Sequence, residues 1–242
     1  MRREERETRL VARVAAAVAA VAALLYSAWL VAPLLNPGHD AVSAYVSELA
    51  ARDQPFSRLF RGFDAAAGLC LAVAVAVVLV RDRGSFRRDG PFVALGLFGL
   101  ATFVDALLPL SCAPTYDAVC ALEERLGLLP VSHQLHVVSS SAAGVLALVA
   151  LVWSVARLAR RRLAGRHEDV DEADWGGVPD WLVWPGVALA LVHTVALAYT
   201  LLEVAGHGAG GLGAAQRISL AALALWWVLL FLSWRRGAAL RS

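Results

Sequence analysis

Long apolar runs separated by short polar connections dominate this chain. A helix needs about 20 mostly apolar residues to cross roughly 30 Å of hydrocarbon. Six stretches are long enough: roughly Leu10–Leu35, Phe60–Val80, Pro91–Leu110, Pro130–Ala156, Trp181–Val204 and Leu212–Trp234. None alternates apolar and polar residues with a period of two, which disfavours a transmembrane β-barrel. The pattern predicts an all-α fold, a polytopic bundle of six transmembrane helices in which residues 1–242 form a single transmembrane domain. One shorter element is expected in the first long connection. Val42, Tyr45, Val46 and Leu49 recur there at helical spacing, so Asp40–Ala51 reads as a short amphipathic helix lying in the interface or folded back on the bundle.

Composition agrees with the pattern. Of 242 residues, 59% are hydrophobic and 17% charged, where soluble chains average about 45–50% and about 25%. Mean hydropathy is +0.63. A soluble enzyme, a disordered chain and a collagen are all excluded. The 22 basic residues are all Arg, and their placement carries the topology. Seventeen fall in four segments: the N-terminus (Arg2, Arg3, Arg6, Arg9, Arg13), the connections Arg81–Arg88 and Arg157–Arg166, and the tail Arg235, Arg236 and Arg241. Alternating Arg-rich and Arg-poor connections follow the positive-inside rule, which predicts both termini in the cytoplasm and a place in the inner (plasma) membrane. Trp153, Trp181, Trp184 and Trp234 fall where spans meet the cytoplasmic interface, as aromatic anchors do. The first span starts with basic residues like a signal peptide, but its apolar run exceeds the 7–15 residues of a signal core, so it is expected to be retained.

The connections differ in character. Those rich in Arg read as solvated anchors, with contact between Arg160–Arg162 and anionic headgroups as the alternative. Nothing in them suggests nucleic-acid recognition; membrane lipids are the expected partners, and no protein partner is indicated. The Gly-rich link Ala205–Gly213 follows no strand and has no Lys, so it is not a phosphate-binding loop. Cys112 and Cys120 share one connection on the oxidising face, where a disulfide is expected, with two free thiols as the alternative. Cys70 lies inside the second span and reads as a small apolar core residue.

Polar residues inside the spans carry the candidate chemistry. An Asp at the centre of a membrane helix costs about 2.5–3.5 kcal/mol on insertion scales. Asp105 sits near the outer end of the third span, and His133 and His136 open the fourth on one helical face with Ser140 a turn beyond. His193 lies near the middle of the fifth, and Glu48, beside Ser47, on the outer amphipathic segment. Convergence in one outward-facing cavity would supply His133, His136 and His193 as ligands for a zinc ion with an open position for water. A metal-bound water with its pKa lowered to about 7 is a nucleophile, with Glu48 or Asp105 as general base and Ser47 as a further catalytic candidate. The competing reading is interhelical hydrogen bonding that only fixes the packing.

Val42-Ser-Ala-Tyr-Val-Ser-Glu-Leu-Ala-Ala, Leu59-Phe-Arg-Gly-Phe-Asp-Ala-Ala-Ala-Gly, Asp105-Ala-Leu-Leu-Pro and the His133/His136 pair resemble the domain of unknown function 998 family. The resemblance extends from about Ser27 to Ser233 and implies a prokaryotic integral membrane protein, usually with about six spans. Ser47, Glu48, Asp105, Pro109, His133 and His136 match the family pattern; His193 and the Cys pair do not. The family's name assigns no activity. A looser likeness links the residue types to membrane hydrolases of the alkaline ceramidase type, which place Ser, Asp and three His around a buried zinc. This chain lacks their seven-span layout and closing His-x-x-x-His, so that likeness is analogy. The functions left in play are a metal-dependent membrane hydrolase acting on a lipid or amphiphile, a small-solute or proton-coupled transporter, and a non-catalytic accessory subunit.

Overall fold

The computed structural model describes residues 2–81, 86–164, 180–204 and 210–240. His167, the acidic run from Glu168 to Asp174, His207 and most of the Gly-rich link lie outside the described residues. Eight α-helices are present among those described, and no strand: α1 (Arg2–Tyr26), α2 (Ala32–Leu35), α3 (Ser57–Arg81), α4 (Phe86–Leu107), α5 (Ala118–Arg125), α6 (Val131–Ala164), α7 (Val183–Val204) and α8 (Leu212–Leu240). Five are long and apolar enough to span a membrane, with apolar stretches Ser57–Val80, Gly90–Leu107, Val131–Arg160, Val183–Glu203 and Leu212–Ser233. The expected first span is a bent pair, Leu10–Tyr26 followed by Ala28–Leu35, with 41° between them. The break has a local cause. Pro33 offers no N–H to continue the ladder and clashes with the turn before it, so a 3-10 turn at Ala28–Val31 bridges α1 and α2. The chain is a multi-pass helical membrane protein.

The six long helices close into a ring in the order α1, α3, α4, α6, α7, α8, with α8 returning to α1. Small residues set how closely the helices approach, as expected where lipid gives no hydrophobic drive to helix association. The Ala-rich run of α1 becomes a packing face, with Ala12, Ala15, Ala16, Ala19, Ala22 and Ala23 all buried. Between α3 and α4 the backbones nearly touch. A methyl group on Gly68 would sit 2.5 Å from the Gly99 carbonyl oxygen, and one on Gly99 would sit 2.8 Å from that of Gly68. Aromatic rings fill the middle: Tyr26 of α1, Phe98 of α4 and Trp227 of α8 lie with centroids 5.2–5.8 Å apart. A void of about 10 Å³ remains beside them, lined by Leu95, Phe98, Leu151, Leu223 and Trp227 among others. At the Arg-rich face, Trp181 and Trp184 are exposed, and the Arg162 guanidinium lies 5.5 Å from the Trp184 ring centre.

The first connection differs from the expected amphipathic helix. Only Ser47–Ala50 is helical, as a 3-10 turn, and the residues before it form turns. The reason is tertiary. The carbonyls of Ala41 and Ala44 accept hydrogen bonds from Arg217 Nη1 at 2.7 and 3.0 Å, and that of Val42 accepts from Ala214 N at 3.0 Å. Val46 N donates to Gln216 Oε1 at 2.6 Å. Backbone groups that an α-helix would pair internally are bonded to the start of α8 instead. Gly213 makes room for this, since a methyl group there would lie 2.2 Å from Ala44 O. Leu49 is buried, but Val42 at the other end of the expected apolar stripe is 57% exposed.

Candidate functional site

Two connections at the Arg-poor face are knitted into a cap. Arg52 N donates to Leu110 O at 3.0 Å, Ala113 N to Asp53 Oδ2 at 3.1 Å, and Asp40 N to Tyr116 Oη at 2.6 Å. Glu48 is fully buried, and its Oε1 accepts from Thr115 N at 2.8 Å while Oε2 has no partner. Burial pushes the Glu48 carboxyl above the ordinary range, and the nearby Glu124 charge adds to this. Ser47 beside it is half-buried on the same 3-10 turn. A disulfide joins Cys112 to Cys120, with Cα atoms 6.2 Å apart, and so ties the segment after α4 to α5.

That tie frames a three-residue cluster at the entrance of α6. His133 is 1% exposed. Its Nδ1 receives the Ser111 backbone N–H at 3.1 Å and lies 3.0 Å from Ser111 Oγ. Its Nε2 lies 3.1 Å from Glu124 Oε1. A backbone N–H can only donate, so Nδ1 is the bare nitrogen and the ring proton resides on Nε2, aimed at the carboxylate. The Ser111 hydroxyl, half-buried, can then donate to the same Nδ1. This is the arrangement of a nucleophile, a base and an orienting acid. The ring is turned so that the acid holds Nε2 and the hydroxyl faces Nδ1. Each partner is positioned locally: Asp117 Oδ1 caps α5 by accepting from Val119 N at 2.8 Å and Cys120 N at 3.3 Å. Glu124 follows one turn after the disulfide.

One turn further along α6 lies a second cluster. Ser139 Oγ and Ser140 Oγ both donate to the Asp105 carboxylate of α4, Ser140 at 3.0 Å to Oδ2. His136 Nδ1 is 3.2 Å from Asp105 Oδ1, a close electrostatic contact without hydrogen-bond alignment. Its Nε2 is 3.4 Å from Ser140 Oγ. Four side chains from two helices thus meet near the ends of their spans, the two Ser hydroxyls satisfying the carboxylate while His136 Nδ1 stays without a hydrogen bond.

The three His expected as ligands do not meet. His133 faces the 111–124 segment, His136 faces Asp105, and His193 of α7 bonds Ser219 Oγ of α8 through Nδ1 at 2.6 Å. Among the described residues, no group of three or more His, Cys, Asp or Glu could hold a metal ion. Helical phase accounts for this: three-residue spacing puts His133 and His136 on one face, but each reaches a different neighbouring element.

His39 also enters the cap. It is buried, lies with its ring centre 5.8 Å from that of Tyr116 at a tilt of 44°, and has no hydrogen-bond partner on either nitrogen. Burial, with Arg217 nearby, lowers its pKa to about 4.

Reading the sequence for polar groups inside spans misses Ser111, Glu124 and Ser139, because two of them sit in irregular or short elements between spans. The available signals are that Ser111 abuts Cys112 and that Glu124 lies four residues after Cys120.

No curated protein and no solved structure gives a significant match to this chain. A family model does, over residues 14–233, which takes in both polar clusters, four of the six ring helices whole and parts of α1 and α8. The chain therefore belongs to the family described as protein of unknown function (DUF998).

Proposed function

We propose that this protein is a membrane hydrolase of serine type, acting on an ester or amide of a lipid or other amphiphile at the Arg-poor face. The observation that carries the reading is His133 held between Ser111 and Glu124, with a tautomer that leaves Nδ1 unprotonated and shared between the Ser111 backbone N–H and the Ser111 hydroxyl. In the reaction, Ser111 Oγ forms a bond to the substrate carbonyl carbon as its proton passes to His133 Nδ1. The C–O or C–N bond to the leaving group then breaks, and that group takes the proton from His133. Water, deprotonated by the same nitrogen, releases the acyl group and restores Ser111. Glu124 stabilises the imidazolium that forms in each half.

Asp105 and His136, one turn deeper, hold α4 against α6 beneath the site, and Glu48 anchors the cap from above through Thr115. These are positioning roles rather than the general-base roles expected from sequence. A zinc-dependent mechanism through His133, His136 and His193 has no support from their placement. The Arg distribution supports both termini in the cytoplasm of a plasma (inner) membrane protein and the cluster facing outward. Residues 1–242 act in this reading as one transmembrane domain.

Purified protein in mild detergent should hydrolyse nitrophenyl esters. Ser111→Ala should lower the rate about 10³-fold or more, with unchanged helicity and elution volume. A Ser111→Ala variant as active as wild type would contradict the proposal. A second reading, proton-coupled transport, draws on one observation: Asp64 of α3 is an electrostatic neighbour of Asp105. Proton uptake by proteoliposomes that Asp105→Asn abolishes and Ser111→Ala leaves intact would favour it.

A further inference from the structure

The outward face of α5 is largely apolar, which is unusual for a helix in water, although Glu123 is exposed beside the apolar stripe. Val119, Leu122 and Leu126, at positions i, i+3 and i+7 along one side of α5 and its C-terminal cap, are 63%, 56% and 61% exposed. Leu128 just beyond is 69% exposed. The opposite side points inward and carries Cys120, bonded to Cys112, and Glu124, bonded to His133. A covalent link and a polar contact thus hold α5 to the bundle while its apolar side faces out. The spans that flank it in the chain end in apolar residues that are likewise exposed, Leu107 closing α4 at 57% and Val131 opening α6 at 68%. An apolar face of this kind, outside the spans but tied to them through the chain on both sides, is stable where acyl chains cover it.

We infer that α5 dips into the lipid interface and that the substrate is a bilayer lipid ester, reaching Ser111 sideways along this face. The inference rests on the hydrolase reading for the reaction and on the exposed face of α5 for the substrate. Glu124, on the inner side of the same eight-residue helix, places the reactive cluster at headgroup depth. There the acyl ester of a glycerolipid lies between its polar head and its chains. A short-chain soluble ester would reach the same serine without needing α5.

Two measurements test this. In the first, Val119→Ser, Leu122→Ser and Leu126→Ser are combined, and turnover is followed on a fluorogenic phospholipid ester in phosphatidylcholine vesicles and on a soluble short-chain nitrophenyl ester. A fall of tenfold or more on the lipid, with the soluble ester within twofold of wild type, is expected. Equal rates on both substrates, or an equal loss on both, would overturn the inference while leaving the hydrolase reading standing. In the second, a nitroxide is attached at Leu122→Cys in a Cys70→Ala background and reconstituted in the same vesicles. Greater access to oxygen than to a water-soluble nickel chelate is expected, and the reverse would overturn the lipid contact. If wild type hydrolyses neither ester, the hydrolase reading fails and the substrate with it, while the nitroxide still decides where α5 lies.

Discussion

His133 and Glu124 are nine residues apart in sequence, and Nε2 of one lies 3.1 Å from Oε1 of the other across the turn that joins α5 to α6. The contact puts the ring proton on the carboxylate side and leaves Nδ1 to Ser111, which comes from the far side of the disulfide. One connection, one short helix and one helix start are needed to build it, and the Cys112–Cys120 bond ties the connection to the short helix.

Removing that bond should therefore affect stability and reactivity together. Closing an eight-residue separation constrains the unfolded chain by about 2–3 kcal/mol on the loop-entropy model. Cys112→Ser with Cys120→Ser is expected to lower the thermal midpoint in detergent by several degrees. The same variant should slow ester turnover at temperatures where it remains folded, because Ser111 and Glu124 lose their common brace. A stability loss with unchanged turnover would separate the brace from the site.

Asp105→Asn tests the deeper cluster. Asn keeps the volume and can still accept from one Ser, but it loses the charge facing His136. Interhelical polar contacts in membranes are worth about 0.6 kcal/mol on average and at most about 1.7. A loss in that range is expected by denaturation in mixed micelles, with ester turnover falling far less than in Ser111→Ala. Loss of turnover equal to that of Ser111→Ala would make Asp105 a catalytic residue.

The backbone contact of Gly68 with Gly99 predicts a severe packing defect between two spans. An added methyl at 2.5 Å from a backbone oxygen has no flexible neighbour to displace, so α3 and α4 must move apart. Gly68→Ala should cost about 1–3 kcal/mol, read as a lower thermal midpoint. Gly62→Ala is the control, since a methyl there meets nothing within 4 Å.

Acid and alkali should act on the cap through different residues. His39 has an ordinary value of 6.5 and a folded value of about 4. As pH falls through that window the unfolded chain gains a proton that the folded chain refuses, so stability falls. His39→Leu should be most stabilising, relative to wild type, near pH 4 and least so at pH 8. Glu48 has the opposite sign. Its pKa is raised from 4.5 by burial, so its contribution is complete below 4.5 and declines as pH rises through the folded value. Glu48→Gln should raise the thermal midpoint at pH 8 relative to pH 4. Parallel shifts at both pH values in either variant would contradict these assignments.

Spans were legible because lipid imposes a single long-range rule: backbone polar groups must be paired within a helix, and the side chains around it must be apolar. Hydropathy alone therefore finds the positions of α3, α4, α6, α7 and α8 to within a few residues. The bend at Ala28–Leu35 was readable only through Pro33, and the 3-10 turn at Ser47–Ala50 not at all. The backbone groups of Ala41, Val42, Ala44 and Val46 just before that turn bond to Arg217, Ala214 and Gln216, about 170 residues away. The polar groups of the spans were visible as exceptions to an apolar pattern, yet their partners were not. Ser111 and Glu124 sit in polar connections, where a Ser or Glu is unexceptional. His193 looked like a ligand for want of any sign that Ser219, on the next helix, would take its Nδ1.

The central claim is that Ser111 is an activated nucleophile, and covalent capture tests it most directly. Folded protein in mild detergent is treated with a fluorophosphonate and digested, and the modified residue is located by mass spectrometry. Stoichiometric modification at Ser111 is expected, absent in Ser111→Ala and slowed at least tenfold in Glu124→Gln. Folded wild-type protein that remains unmodified at Ser111, or that reacts equally fast with Glu124 replaced, would contradict it.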